Sequence, residues 1–392
     1  MEIPASYVNG YNAARRRDPE FAEAYIRHTT VGDPLADRVV EELVESTPSE
    51  QINRIISAAL NNHENLPKNT PESLRTLIAE AAVIPDWFDQ DIALIATEAF
   101  LRNPEIILAG LATGAIVEGF STLISKSFLI RGRIIGHGVR RLKQNNLHLL
   151  EQFIPGGLYP GGDGWKLNLR IRLVHAQSRR LIKDSDEWDK TTYGMPLSAA
   201  HMLLGAAAFS GRLMQHVERL GGDFNAKERE AYVHVWRYAG LVMGIPDAIM
   251  FHDEASACRA FVIGVLCEPL PEDDEIIMAN SIINSAPIVL GFTEPRERGA
   301  KAESFYQVSR ELIGNYMADL FRFPAGKRIR ILPFMRLKYR VERVLQKLYL
   351  RWFHHHDFTH FDIILKTSNL GKYEISYKLP TALHDEDETQ EW

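Results

Sequence analysis

Two stretches of the chain carry side chains whose types and spacing suit chemistry. In the first, His137, Arg141, Gln144 and His148 recur at helical spacing and fall on one stripe, with Ile135, Val139, Leu142, Leu149 and Phe153 on the other side. In the second, Asn168, Arg172, His175 and Arg179 follow one another by four, three and four residues, again one stripe of a helix. Between them lies PGGLYPGGDG, residues 155–164, which neither helix nor strand accommodates. Two helices joined by such a loop pack side by side, so the stripes can face each other across a cavity. An imidazole, several guanidiniums and amides set among leucines have the composition of a haem pocket. The imidazole supplies an axial bond to iron, and the arginines pair with propionates. The same stripes also fit two solvated charged faces with no ligand, which is the commoner arrangement.

The elements that must position these residues read as helices. Residues 166–173 (KLNLRIRL) alternate polar and apolar like a strand, but residues 174–182 have no such period, which favours one helix through His175. Upstream, residues 91–150 are helical in pattern, with breaks at Asn103-Pro104 and around Arg131-Gly132. Downstream, helical patterns continue to about residue 320. Residues 1–85 form short amphipathic helices, among them 34–44 and 50–61. Thr70-Pro71-Glu72-Ser73 predicts a helix start with Thr70 as cap and Pro71 at the first helical position. Near the end, residues 361–364 and 373–377 alternate weakly around Asn369-Leu370-Gly371, as in a small C-terminal hairpin, and residues 384–392 form an acidic tail. The expectation is an all-α protein: a helical extension over 1–85, a core over 86–330 and a C-terminal extension over 331–392.

Composition narrows the function classes. The chain has 392 residues, a net charge of −6, fourteen histidines and two cysteines. That charge excludes nucleic acid as the main partner, since phosphate binding needs a dominant basic surface. Cys258 and Cys267 cannot make a disulfide framework and read as buried thiols of a reducing compartment. Arg15, Arg16 and Arg17 are followed by Asp18, Pro19 and Glu20 rather than an apolar run, so no secretory signal is expected, and a cytoplasmic location is. Residues 106–124 are apolar enough to span a bilayer, but Glu118 near their middle favours a buried core helix. His354, His355, His356 and His360 have spacing that suits a metal, yet no acidic base accompanies them, and a surface cluster fits better. Residues 335–353 form a basic amphipathic stretch suited to packing on the core or to a membrane surface.

At the second stripe the sequence resembles a known family. Arg172-Leu-Val-His175-Ala-Gln-Ser-Arg179 is similar to the haem-ligand motif of the latex-clearing protein (rubber oxygenase) and MpaB-type oxygenases. Arg141-Leu142 resembles that family's distal-helix pair, at the same separation from the histidine. Trp188-Asp189, Tyr193-Gly-Met-Pro-Leu197 and Trp236-Arg-Tyr-Ala-Gly-Leu-Val-Met-Gly244 resemble further blocks in the same order. The likeness covers roughly residues 90–260. It implies a globin-like haem core with extra N- and C-terminal helices, and haem b as cofactor. His175 would be the iron ligand, Arg172 and Arg179 would hold propionates or brace the pocket, and Arg237 offers itself to a propionate. Arg141 would lie on the oxygen-binding side. Where the rubber oxygenases carry Lys and Thr after that Arg, this chain has Gln144 and Asn145, which still donate hydrogen bonds. The family's acidic base is replaced by Ser125; Glu118, one heptad upstream, fits either a substitute for it or a buried acid capped by its neighbours.

The resemblance implies an enzyme that uses O₂ on a small hydrophobic substrate of isoprenoid or terpenoid type, with cleavage of a carbon–carbon double bond as the family's chemistry. Two other readings suit the same pocket. One is a non-oxygenative haem enzyme (dehydratase, isomerase or cyclase) with Arg141 or Glu118 handling charge. The other is a haem-binding protein without catalysis.

Overall fold

Apolar residues at three- and four-residue spacing, punctuated by Pro, Gly and capping residues, drive the chain into helices. The computed structural model describes residues 2–130, 137–326, 330–348 and 377–383, and every regular element among them is helical. The expected hairpin strands up to residue 376, the histidines at 354–360 and the acidic tail lie outside the described residues. The N-terminal part is α1 (Val8–Arg17), α2 (Pro19–His28), α3 (Pro34–Ser46), α4 (Ser49–Asn61) and α5 (Glu72–Ala81). Then come α6 (Gln90–Arg102) and α7 (Pro104–Gly110), which passes through a π-helical turn, Leu111–Ala115, into α8 (Ile116–Gly119). After α9 (Ile124–Leu129), the two stripe-bearing helices are α10 (His137–Gln152) and α11 (Asp163–Lys183). A short α12 (Lys190–Tyr193) leads to α13 (Ala199–Ala207), which runs through a second π-helical turn, Ala208–Arg212, into α14 (Leu213–Leu220). The remainder is α15 (Ala226–Val242), α16 (Glu254–Cys267), α17 (Asp273–Val289), α18 (Pro295–Ile313), α19 (Asn315–Leu320) and α20 (Leu332–Leu348).

One apolar cluster extends from Tyr7 through Trp165 and Trp236 to Leu379, so the N-terminal helices share their core with the stripe-bearing ones. The strand-like alternation at the start of α11 has a simple cause. This helix is flanked by α3, α10 and α15, and Leu167, Leu169, Ile171 and Leu173 are all buried, so its apolar residues do not mark a single face. The apolar stretch after residue 106 is not one straight helix. Among the described residues no single helix is long and apolar enough to cross a membrane, and α6 meets the α7–α8 unit at an 88° bend. Both cysteines are free thiols, Cys267 buried and Cys258 half-buried.

The start of α5 departs from expectation. Its first helical residue is Glu72, Pro71 occupies the cap position, and Thr70 makes no cap bond. The orphan N–H groups go to a remote acid instead: Glu42 of α3 accepts from Glu72 N–H (3.3 Å) and Ser73 N–H (3.1 Å). A carboxylate beside a helix N-terminus answers both the unsatisfied donors and the positive end of the dipole, which a hydroxyl answers less well.

Packing of α1 on α16 is close enough to require glycine. A Cβ on Gly10 would lie 2.3 Å from the Cys267 carbonyl oxygen and 2.7 Å from that of Leu266, both backbone atoms that cannot swing away. Gly10→Ala is therefore expected to lower stability by about 1–3 kcal/mol through overpacking. Gly299→Ala in α18, where an added Cβ meets nothing within 4 Å, should raise it by up to ~1 kcal/mol through helix propensity. Urea denaturation of both variants checks the pair, and equal midpoints would contradict the packing argument.

Candidate active site

The site is built outward from α11. On this helix His175 sits between Arg172 and Arg179, and both arginines are committed to carboxylates of α3. Arg172 donates through Nε to Asp33 Oδ2 (2.6 Å) and through Nη2 to Asp33 Oδ1 (3.0 Å), with a third bond from Nη1 to the Val242 carbonyl (3.3 Å). Arg179 donates through Nε to both oxygens of Asp37 (2.9 and 3.1 Å) and through Nη1 to the Leu197 carbonyl. Asp33 is also the cap of α3, accepting from Ala36 N–H (3.1 Å). These are forked, charge-assisted contacts of the kind that fix geometry best. Of the two roles expected for Arg172 and Arg179, holding propionates or bracing the pocket, these contacts fit the second: each guanidinium faces a carboxylate of this chain, and neither lines the large cavity. Arg237 lies away from that cavity too, with its guanidinium 3.7 Å from the centre of the Trp87 ring, a cation–π contact.

His175 is half-buried and lines a cavity of about 450 Å³. Its ring also borders a narrow space of about 10 Å³ shared with Asp33, Arg172, Arg179 and Met243, so it stands where the arginine–aspartate contacts meet the cavity. From α10 come Arg140, Arg141, Gln144, Asn145 and His148; of the stripe inferred from spacing, Arg141, Gln144 and His148 line the cavity, and the side chain of His137 lies outside the described residues. Arg141 lies over the Phe128 ring at 4.0 Å, and Asn145 Nδ2 donates to the Arg141 carbonyl (2.9 Å), which holds that amide in place. Ile116, Phe120, Ile124, Met202 and Phe209 supply an apolar body. Trp236 is fully buried on the cavity wall, stacked on Phe209 and edge-on to His148. His148 Nε2 donates to Asn168 Oδ1 (2.8 Å), and Asn168 in turn donates to Gln152 (2.9 Å). Burial pushes His148 down to about 4 against the raising effect of Asn168, so this imidazole is neutral at ordinary pH.

Comparison with known proteins places the chain in a family. Residues 100–341 match the family described as ER-bound oxygenase mpaB/B'/Rubber oxygenase, catalytic domain. The chain belongs to this family. It is 22% identical to a rubber oxygenase of Streptomyces sp. (strain K30) over 318 residues, 77% of this chain and 71% of that protein. Its fold is similar to that of a latex clearing protein solved in the closed state, with a TM-score of 0.66 over 90% of this chain and 94% of the other, at 17% identity. The chain is thus an oxygenase of the rubber oxygenase/mpaB type with an all-α fold like that of latex clearing protein.

In this member of the rubber oxygenase/mpaB family, Glu118 does not serve the cavity as a base. It does not line the cavity. Arg212, from the π-helical turn before α14, grips it at both oxygens (Nε–Oε2 2.7 Å, Nη2–Oε1 2.6 Å), and His216 Nε2 donates to Oε2 (2.8 Å). Burial works to raise the Glu118 carboxyl, but His216 and Arg212 outweigh it and hold it down at about 2. Burial likewise pushes His216 down, against the raising effect of Glu118, and its Nδ1 is buried with no hydrogen-bond partner. Arg212 brings a guanidinium charge to the same carboxylate. Gly114 makes room, since a Cβ there would lie 2.6–2.9 Å from three atoms of the His216 ring.

Several lining residues escaped the sequence reading. His201 of α13 is fully buried; its Nδ1 accepts from Ser198 N–H (3.3 Å), so Nε2 carries the proton toward Tyr7 OH (2.9 Å) and Glu268 Oε1 (3.4 Å). Glu268 also takes Tyr25 OH (2.7 Å) and Leu123 N–H (3.2 Å), a closed buried network beneath the cavity. The Ser198-x-x-His201 spacing is a capping box, the one local signal that could have marked this histidine. Asn53 of α4 and residues 377–381 also line the cavity and carry no local signal at all.

The Glu118 geometry sets a pH dependence. A carboxyl at about 2 in the folded chain and near its usual 4.5 when unfolded contributes stability above the higher value. That contribution fades as pH falls through the window from about 4.5 to about 2. Glu118→Gln strands the Arg212 charge, at a cost of roughly 3–5 kcal/mol near neutral pH. Melting temperatures from pH 7 to pH 3 should show wild type converging on the variant as acid is added, whereas parallel curves would contradict the pairing.

Proposed function

We propose that this protein is a haem b-dependent oxygenase that oxidises a small apolar substrate of isoprenoid type, with His175 as the iron ligand. The observation that carries the reading is His175 itself: half-buried on the cavity wall, between two arginines locked to α3, so that its ring is presented at a fixed place. The donor set fits the cofactor. Among the described residues no group of three or more His, Cys, Asp or Glu is arranged to hold a metal ion, so iron here would depend on a macrocycle and one imidazole. The cavity volume is in the range of cofactor and substrate sites, and its lining is apolar with a few convergent polar groups.

A bound haem would supply the dioxygen and one-electron chemistry that no side chain provides. The chain's own residues do the rest. His175 would hold the group, and the contacts of Arg172 and Arg179 keep its helix from rotating or sliding. Phe120, Ile124, Phe128 and Phe209 exclude water and take up an apolar chain. Gln144 offers an uncharged N–H donor to the cavity, and Asn145, with one N–H spent on Arg141, keeps a second. His148, neutral and held by Asn168, can orient a bound group without donating charge. No described carboxylate lines the cavity. A dehydratase or isomerase that relies on a carboxylate base would find none among the described lining residues.

The purified protein is expected to show a Soret band that shifts on reduction with dithionite, and His175→Ala is expected to lose it. Wild-type protein that takes up no haem on reconstitution would overturn the reading. Product formation from a prenyl substrate should cease without O₂, and persistence under anaerobic conditions would point to non-oxygenative chemistry.

A further inference from the structure

Residues 377–381 lie across the cavity as one of its walls. Tyr377 OH donates to the Gln144 carbonyl of α10 (3.0 Å), Leu379 N–H donates to Asn53 Oδ1 of α4 (2.9 Å), and Gln177 Nε2 of α11 donates to the Pro380 carbonyl (2.7 Å). Leu379 and Pro380 are buried, and all five residues line the cavity. Three bonds to three different helices make this segment a strap rather than a passing tail. The family match ends at residue 341, so the strap is an addition to the matched region.

The strap brings a cation. Lys378, itself exposed, stands at the rim of the cavity that Arg140 and Arg141 also line, and no Asp or Glu is among the described lining residues. Arg140 is close enough to the Tyr377 hydroxyl for its charge to oppose the upward push of burial on that group, which places it beside the strap. The other candidate cations are engaged: Arg172 and Arg179 by aspartates, Arg237 by Trp87. Positive groups around an apolar, partly enclosed space attract an anion more strongly than they would in open water.

We propose that the strap end of this cavity is a carboxylate-binding subsite, formed by Lys378 of the strap and Arg140 of α10. The ligand is a carboxylate on an apolar body, which has two sources: the propionates of a haem, or an acidic end of the substrate. Only the first source rests on the haem reading.

The experiment uses the full chain as wild type, Lys378→Ala, Lys378→Arg and the Arg140→Ala/Lys378→Ala double variant, each checked for an unchanged helical spectrum. Haem and haem dimethyl ester are compared by their rates of transfer to apomyoglobin. A prenyl carboxylate and the prenyl alcohol of equal length are compared by calorimetric titration. Loss of a charge-assisted hydrogen bond corresponds to roughly tenfold weaker binding or more. The double variant should lose at least that much for the acid of one pair and nothing for its ester or alcohol, with Lys378→Arg close to wild type. Loss confined to haem assigns the subsite to the propionates, and loss confined to the prenyl acid assigns it to the substrate. A wild type that binds no haem but loses its preference for the prenyl acid in the double variant would refute the haem reading and uphold the subsite. Unchanged acid-to-ester and acid-to-alcohol ratios in the double variant would overturn the proposal.

Discussion

The rest of the site depends on two arginine–aspartate contacts between α3 and α11. Arg172 meets Asp33, and Arg179 meets Asp37, across 139 and 142 residues of sequence. His175 lies three residues after the first arginine and four before the second, so its ring cannot change height or rotation without breaking one contact. Buried ion pairs of this kind often add little net stability, because desolvation offsets attraction. Their effect here is on uniqueness. Sliding α11 by one turn would leave a guanidinium buried without its carboxylate, a far costlier state than the loss of an apolar contact. Asp33 ties the arrangement to local structure, since the same carboxylate caps α3 and receives Arg172.

The other side of the cavity is shaped by two π-helical turns. Leu111–Ala115 and Ala208–Arg212 each interrupt a longer helix, and they touch one another. A π turn widens a helix by one residue and redirects the side chains after it. In this chain that redirection brings Arg212 and His216 to Glu118, while Ala115, Ala208 and Phe209 are left facing the cavity. The acid that an apolar 106–124 stretch must bury is thereby neutralised outside the reaction space. Gly114 is part of the same solution, because the His216 ring occupies the volume a side chain would need.

What was legible in the sequence was whatever short-range spacing encodes. Three members of the α10 stripe, Arg141, Gln144 and His148, share a wall because helical period alone sets them on one side. The identity of α11 as a helix was legible for the same reason, and its apolar alternation misled only because the helix is buried on several sides. Roles that depend on a distant partner were not legible. Nothing near Arg172 or Arg179 announces Asp33 or Asp37, and nothing near Thr70 announces that Glu42 will cap α5 in its place. Glu118 reads equally as a substitute base or as a buried acid capped by neighbours, and only the fold shows which two partners, some hundred residues on, hold it. The strap is the extreme case: residues 377–381 are unremarkable in composition, and only the fold brings them to α4, α10 and α11.

These placements fix the charge state of one buried imidazole on the cavity wall and of one buried acid behind it. His148 is held near 4 and Glu118 near 2, so neither changes state across the neutral range. The chain as a whole carries −6, yet its acids are kept off the cavity wall, and the charges that remain there are guanidinium and ammonium groups. The cavity offers neutral donors and acceptors at one part of its wall, an apolar body, and fixed positive charge by the strap. Such a division suits a reaction in which the side chains hold and orient an apolar molecule while the bond-making step belongs to another reagent. It suits poorly a reaction that needs a carboxylate to take a proton, because no described carboxylate lines the cavity, and Glu118 and Glu268 are both tied into buried contacts behind it.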